Sequence, residues 1–138
     1  MVAYDRTLLT KVIATGDASN FKLRSDDFLK NADIDYKLST RVESVDVKGK
    51  SITLSDGTTL SYDKLCIATG TSPIKPRVKG IDYSNVFVLR SHNDQEAIKK
   101  ASPNSKKVVI IGGSFIGSES ASALKLQYKD AIDIHIVS

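Results

Sequence analysis

The sequence predicts an α/β protein in which a parallel β-α-β unit closes the chain and a small antiparallel meander precedes it. Three observations carry that prediction. The run Val108-Val109-Ile110-Ile111-Gly112-Gly113-Ser114-Phe115-Ile116-Gly117 takes a short β-branched strand into a glycine-rich turn and then into a helical pattern. Residues 34–60 alternate apolar with polar and are punctuated at Gly49 and at Asp56-Gly57. A second apolar run, Leu65-Cys66-Ile67-Ala68, stops abruptly at Thr69-Gly70.

Taken in order, residues 7–14 read as a helix ended by Gly16-Asp17, and Ser25 begins a second short helix with Asp26 and Asp27 suited to its positive end. In the meander, Val42, Val45 and Val47 should share an apolar ribbon with Ile52, Leu54 and Leu60. Residues 62–68 read as a strand buried on both faces. Pro73 and Pro76 forbid regular pairing through residues 71–80, which read as an inter-domain connector. Ser91 can cap a helix over residues 93–101, with Asp94 reaching back as in a capping box. Pro103-Asn104 separates it from the strand at Val108, which should be buried on both faces. A helix over residues 114–126 and a strand over residues 132–137 complete the unit. Two parallel strands with one helix leave open edges and uncovered apolar faces, so the chain is expected to be a piece of a longer protein.

Composition narrows the class. With 138 residues, 41% hydrophobic and 26% charged, the chain is of ordinary globular type and fits no disorder class. Its apolar runs are too short for a membrane span, and its first residues hold no apolar stretch of signal-peptide length, so no anchor is expected. A net charge of +4, spread among acidic residues without aromatic interleaving, argues against a nucleic-acid surface. One cysteine, Cys66, excludes an internal disulfide and should pack as a small apolar residue. His92 and His135 lie far apart, so no metal site is expected.

The strand-turn-helix at 108–117 is where the sequence carries chemistry. Gly112 permits a tight turn, Gly117 lets the helix lie close on the strand, and the first helical N–H groups face any anion placed there. Two readings stand: a cradle for a dinucleotide pyrophosphate, or a plain strand-to-helix turn without ligand. In the G-x-G-x-x-G register the middle position is Ser114. Its β-carbon would push a phosphate outward, while its hydroxyl could donate to it in partial return.

Four segments in order carry a family resemblance: Tyr4-Asp5-Arg6-Thr7-Leu8-Leu9-Thr10-Lys11, Val42-Glu43-Ser44-Val45-Asp46, Tyr62-Asp63-Lys64-Leu65-Cys66-Ile67-Ala68-Thr69-Gly70, and the fingerprint running to Glu119. Together they resemble the pyridine-nucleotide and FAD-dependent oxidoreductases, and within them the apoptosis-inducing-factor-like branch that includes the ferredoxin, putidaredoxin and rubredoxin reductases. The likeness covers nearly the whole chain. Disulfide reductases of this superfamily carry a redox-active cysteine pair where this chain has residues 6–11 without cysteine, so thiol chemistry is not expected. Where the resembling branch has Leu-Ser-Lys, this chain reads Leu9-Thr10-Lys11, and a proline usual after the arginine is Thr7.

The resemblance implies a two-dinucleotide-binding-domain flavoprotein fragment. Residues 1–76 would be part of an FAD-binding domain lacking its first glycine fingerprint, and residues 77–138 the first β-α-β of a Rossmann NAD(P)-binding domain. It implies FAD contacts for Arg6, Lys11, Val42, Thr69, Gly70 and Arg90, and NAD(P)H contacts for Gly112, Gly113, Ser114, Phe115, Ile116 and Gly117. It further implies that Lys11 and Glu119 meet beside the flavin as the catalytic pair. The implied activity is NAD(P)H-dependent flavin oxidoreduction, with electrons passing to an iron-sulfur protein or a quinone-like acceptor, in cytoplasm or alternatively in mitochondria. Ser138 stands where an NAD site prefers an acidic residue, which leaves NAD against NADP open. A non-catalytic nucleotide-binding or interaction module, or a truncated inactive gene product, is the alternative expectation.

Overall fold

The computed structural model describes residues 3–17 and 21–138. The chain divides into two compact units, one built on Arg24–Thr71 and the other on Ala3–Leu23 with Ser72–Ser138.

The first unit begins with helix α1 (Asp26–Asn31), whose Ser25 side chain accepts from the Phe28 N–H at 3.1 Å. Asp26 and Asp27 lie in its first turn, where the helix dipole favours negative charge. Strands β1 (Val42–Asp46), β2 (Ser51–Leu54) and β3 (Thr59–Ser61) follow as the antiparallel meander the alternation predicts, in the order β1-β2-β3, but the meander begins at Val42 and residues 34–41 of the alternating stretch form no strand. Val42 and Val45 are three apart and would face opposite sides of a regular strand. A bulge between Val42 and Ser44 corrects this: Val42 pairs Leu54 while Val45 pairs Ile52, which in turn pairs Leu60, so these residues share one face. Leu54 is buried. Val47 lies in the turn beyond β1 and is exposed, so it does not join the ribbon. The turn itself is held by Asp46, whose Oδ1 accepts from the N–H groups of Lys48 and Gly49.

The strand expected over residues 62–68 does not form, and Leu65, Cys66 and Ile67 are exposed. The cause is physical. A short apolar run becomes a strand only when another strand meets its N–H and C=O groups, and none of the described strands pairs with it. Cys66 accordingly does not pack as a core residue.

The second unit carries helix α2 (His92–Ala101), strand β4 (Lys107–Ile111), helix α3 (Phe115–Tyr128) and strand β5 (Asp133–Val137). The Ser91–Asp94 capping box forms as expected and starts α2 one residue earlier than predicted. β4 and β5 pair in parallel, Val108 with Ile134 and Ile110 with Ile136 on one face. That face packs under α3: Leu124, Ile13 and Ala14 form the core, with Val108, Ile134, Leu89 and Ile98 against it. The opposite face is open. Val109, Ile111 and Val137 are more than half exposed, so β4 is covered on one side and not on both.

Residues 7–14 do not make a regular helix. A 3-10 turn at Arg6–Leu8 is capped by Asp5, whose Oδ1 accepts from the Thr7 N–H at 2.9 Å, and further turns follow through Gly16. Thr7, Thr10, Val12, Ile13 and Thr15 are β-branched, which lowers helical preference. Tertiary bonds set the path of this segment. The wholly buried Gln95 donates from Nε2 to the carbonyls of Val12 and Gly16, and Lys99 donates to Gly16. The Tyr4 hydroxyl accepts from the His92 N–H at 3.0 Å. No helix among the described residues is long and apolar enough to cross a membrane, and no cluster of three His, Cys, Asp or Glu among them is placed to hold a metal.

Candidate functional site

Two features of the second unit come together: the glycine turn between β4 and α3, and the turn segment at residues 5–15. Gly112 adopts φ +113°, a conformation that side-chain-bearing residues rarely take. A Cβ on Gly117 would overlap the Gly112 carbonyl oxygen and crowd the Ile110 side chain at 3.3 Å. The first turn of α3 therefore sits directly on the strand-to-helix turn, with its leading N–H groups lacking intrahelical acceptors. Ser114 is the N-cap by position, yet its side chain makes no cap bond, and it is exposed together with Gly113, Phe115 and Ile116. This is the geometry of an anion cradle, and the residues fit a dinucleotide phosphate except for the Ser114 β-carbon.

One turn further along α3 is Glu119. Its Oε2 lies 3.1 Å from Lys11 Nζ, although the two residues are 108 positions apart. The same oxygen accepts a short hydrogen bond from the Thr10 hydroxyl. Lys11 Nζ also donates to the Thr7 carbonyl at 3.2 Å. The Thr10 hydroxyl, followed by the Lys11 ammonium, holds the Glu119 carboxyl below its usual range, against a smaller opposing effect of burial. Thr10 is buried at 5% exposure, whereas the Lys11 and Glu119 side chains are 51% and 40% exposed, so the ion pair itself is partly screened by solvent. Lys11, Glu119, Thr15, Ser122 and Gln127 line an open cleft of about 400 Å³.

The remaining predicted residues are distributed between the units. Arg6 is exposed in the 3-10 turn, and Arg90 is half-buried, its N–H donating at 3.0 Å to Asp94 Oδ2, the oxygen that also closes the α2 capping box. Both belong to the unit that holds Lys11 and Glu119. Val42, at the start of β1, and Thr69 with Gly70, in the irregular segment after β3, belong to the other unit and are exposed there. Thr10 was not among the residues expected to act. Its only sequence signal is that a hydroxyl occupies the middle of Leu9-Thr10-Lys11.

A model of the family "Pyridine nucleotide-disulphide oxidoreductase" matches residues 1–137. The chain is 33% identical over 135 residues to the nitrite reductase [NAD(P)H] large subunit of Klebsiella oxytoca, covering 98% of this chain and 14% of that protein. It is 35% identical over 122 residues to the rubredoxin-NAD(+) reductase of Pseudomonas putida, covering 87% of this chain and 32% of that one. Among solved structures, the ferredoxin reductase for the CYP199A2 system from Rhodopseudomonas palustris superposes with a TM-score of 0.87 at 28% identity, over 98% of this chain and 33% of its own. The chain thus spans a third or less of the length of these relatives. It belongs to the pyridine nucleotide-disulphide oxidoreductase family, where its homologues include ferredoxin and rubredoxin reductases and apoptosis-inducing factor 3.

Proposed function

We propose that this chain is the part of an FAD-dependent NAD(P)H oxidoreductase that brings the nicotinamide nucleotide to the flavin. The observation that carries the reading is the meeting of Lys11 and Glu119 one turn beyond the glycine fingerprint, in a chain whose family uses both nucleotides. On this reading residues 77–138 take the nucleotide and residues 1–76 contribute to the flavin side, with the 5–15 segment carrying Lys11 to α3. The turn at 112–117 would hold the pyrophosphate, and Arg6, Arg90, Val42, Thr69 and Gly70 would contribute to flavin binding. When bound, the two cofactors supply hydride transfer from nicotinamide to flavin and single-electron release to an iron-sulfur protein or quinone-like acceptor. What the chain's own residues do is electrostatic. Lys11 presents a cation and Glu119 an anion 3.1 Å apart, and the Thr10 hydroxyl favours the ionised form of that carboxylate.

The test is anaerobic mixing of the protein with saturating FAD and NADH, followed by the visible flavin absorbance. Bleaching faster than in the protein-free mixture, and slower again in Lys11→Ala and Glu119→Ala, is the expected result. The Ser114 β-carbon in front of α3 supports a second reading, a nucleotide-binding module without flavin chemistry. Under it, NADH binding would be measurable while bleaching stayed at the protein-free rate.

A further inference from the structure

The Lys11–Glu119 pair is one side of a closed ring of four groups. Two are donors, the Thr10 hydroxyl and the Lys11 ammonium, and two are acceptors, Glu119 Oε2 and the Thr7 carbonyl. Each donor reaches both acceptors. Lys11 has three protons and can satisfy both at once, at 3.1 and 3.2 Å, whereas a hydroxyl has only one. Thr10 must therefore choose between Glu119, with which its contact is short, and Thr7, which lies at 3.3 Å.

That choice depends on the charge of Glu119. As an anion, Oε2 can only accept, so the Thr10 proton points at it and the bond is charge-assisted. If Oε2 gains a proton from solvent, the roles reverse: Oε2–H donates to the Thr10 oxygen, and the hydroxyl proton turns to the Thr7 carbonyl. One proton is added, no other covalent bond changes, and Thr10 keeps a partner throughout. A residue at 5% exposure would otherwise bury an unpaired hydroxyl in one of the two states.

We propose that Thr10 is the positioning residue of the Lys11–Glu119 pair, its hydroxyl swinging between Glu119 and the Thr7 carbonyl as the carboxylate loses and gains a proton. The significance of this for nicotinamide and flavin chemistry rests on the function proposed above, but the hydroxyl switch itself needs neither cofactor. Among the described residues Lys11 is the one charged group in contact with Glu119, and, after the Thr7 hydrogen bonds, the same lysine also lowers the pKa of the nearby Asp5 carboxyl.

The experiment is a pH titration of the whole chain by carbon NMR, reading the Glu119 carboxyl carbon and the Thr10 Cβ, in the wild type and in Thr10→Val and Thr10→Ser. The expected result is that the Thr10 Cβ moves with the Glu119 midpoint, that Thr10→Val raises that midpoint, and that Thr10→Ser keeps it. A merely structural threonine would be replaced well by valine and would leave the carboxyl titration where it was. If Thr10→Val does not fold, the wild-type Thr10 Cβ and the serine variant decide the matter. A Cβ that is flat across the Glu119 titration, or a valine variant titrating like the serine one, overturns the proposal. Because no nucleotide is present, a positive result here with no flavin bleaching would sink the oxidoreductase reading and leave the switch standing.

Discussion

The Lys11 ammonium stands 3.1 Å from the Glu119 carboxylate, and that carboxylate is held below its ordinary titration range by Thr10 first and Lys11 second. A group whose pKa is depressed on folding contributes stability that is fully present above its unfolded value and is lost as pH falls through the folded one. Glu119→Gln should therefore lower the melting temperature near neutral pH, and the difference from wild type should vanish in acid, as pH falls through and below the ordinary glutamate range. Both side chains are near half exposed, so added salt should shrink the neutral-pH difference as well. Thermal melts across pH and salt check this; a difference that persists in acid would show that Glu119 acts through packing.

Gln95 joins α2 to the 5–15 segment from a wholly buried position, and its substitutions should separate shape from charge. The carbonyls it serves keep other donors: Val12 also accepts from the N–H groups of Thr15 and Gly16, and Gly16 from Lys99. Its own Oε1 has no partner among the described residues. Gln95→Leu conserves volume, orphans neither carbonyl and removes the unpaired oxygen, so the loss should be about 1 kcal/mol or less. Gln95→Glu places an anion against two carbonyl oxygens without water and should cost about 3 kcal/mol or more, or shift the carboxyl to its neutral form. Urea unfolding of both variants gives the comparison, and a leucine variant as damaged as the glutamate one would refute it.

The two glycines of the fingerprint fail for different reasons. At Gly117 an added methyl meets backbone, the Gly112 carbonyl, which cannot swing aside as a side chain would. At Gly112 the space is open, and the obstacle is the backbone conformation at φ +113°. Gly117→Ala should destabilise by about 1–3 kcal/mol through overpacking, and should also displace the start of α3 from β4. Gly112→Ala should cost about 1–3 kcal/mol through strain alone. Amide exchange distinguishes them: the first should loosen the first turn of α3, the second the turn itself. Two variants that melt like wild type would mean that the turn relaxes freely.

What the sequence shows and hides follows from the range of the forces involved. The helix caps and turns were legible because Ser25, Ser91 with Asp94, and Asp56-Gly57 act on their immediate neighbours. The β-α-β at 107–137 was legible because period and glycine spacing are local as well. Two expectations failed where a partner was needed. Residues 65–68 have the composition of a buried parallel strand but no strand to pair with among those described, and β4 has a cover on one face only. The 7–14 segment fails as a helix because bonds from Gln95 and Lys99, some eighty positions away, set its path. The Lys11–Glu119 contact has no local signature at all, and only the family resemblance pointed to it. Thr10, between the two in effect, offered no more than a hydroxyl in the middle of Leu9-Thr10-Lys11, and a hydroxyl's role depends on what lies across from it.

Ser114 is where the chain departs from the glycine fingerprint, and its surroundings let the departure be tested cleanly. It occupies the N-cap of α3 without making the side-chain bond that normally favours serine there. Replacing an N-cap serine by glycine costs only a few tenths of a kcal/mol even when that bond exists, so Ser114→Gly should leave the melting temperature nearly unchanged, by about a degree or two at most. Its effect should fall on the nucleotide. Removing the β-carbon lets a phosphate approach the leading N–H groups of α3, where the helix dipole is strongest, and a gain of 1.4 kcal/mol there would be about tenfold in affinity. The expected outcome in titration calorimetry is tighter NADH binding with unchanged stability. Equal or weaker binding would mean that the serine hydroxyl, exposed and uncommitted to the helix, donates to the phosphate more than its carbon obstructs.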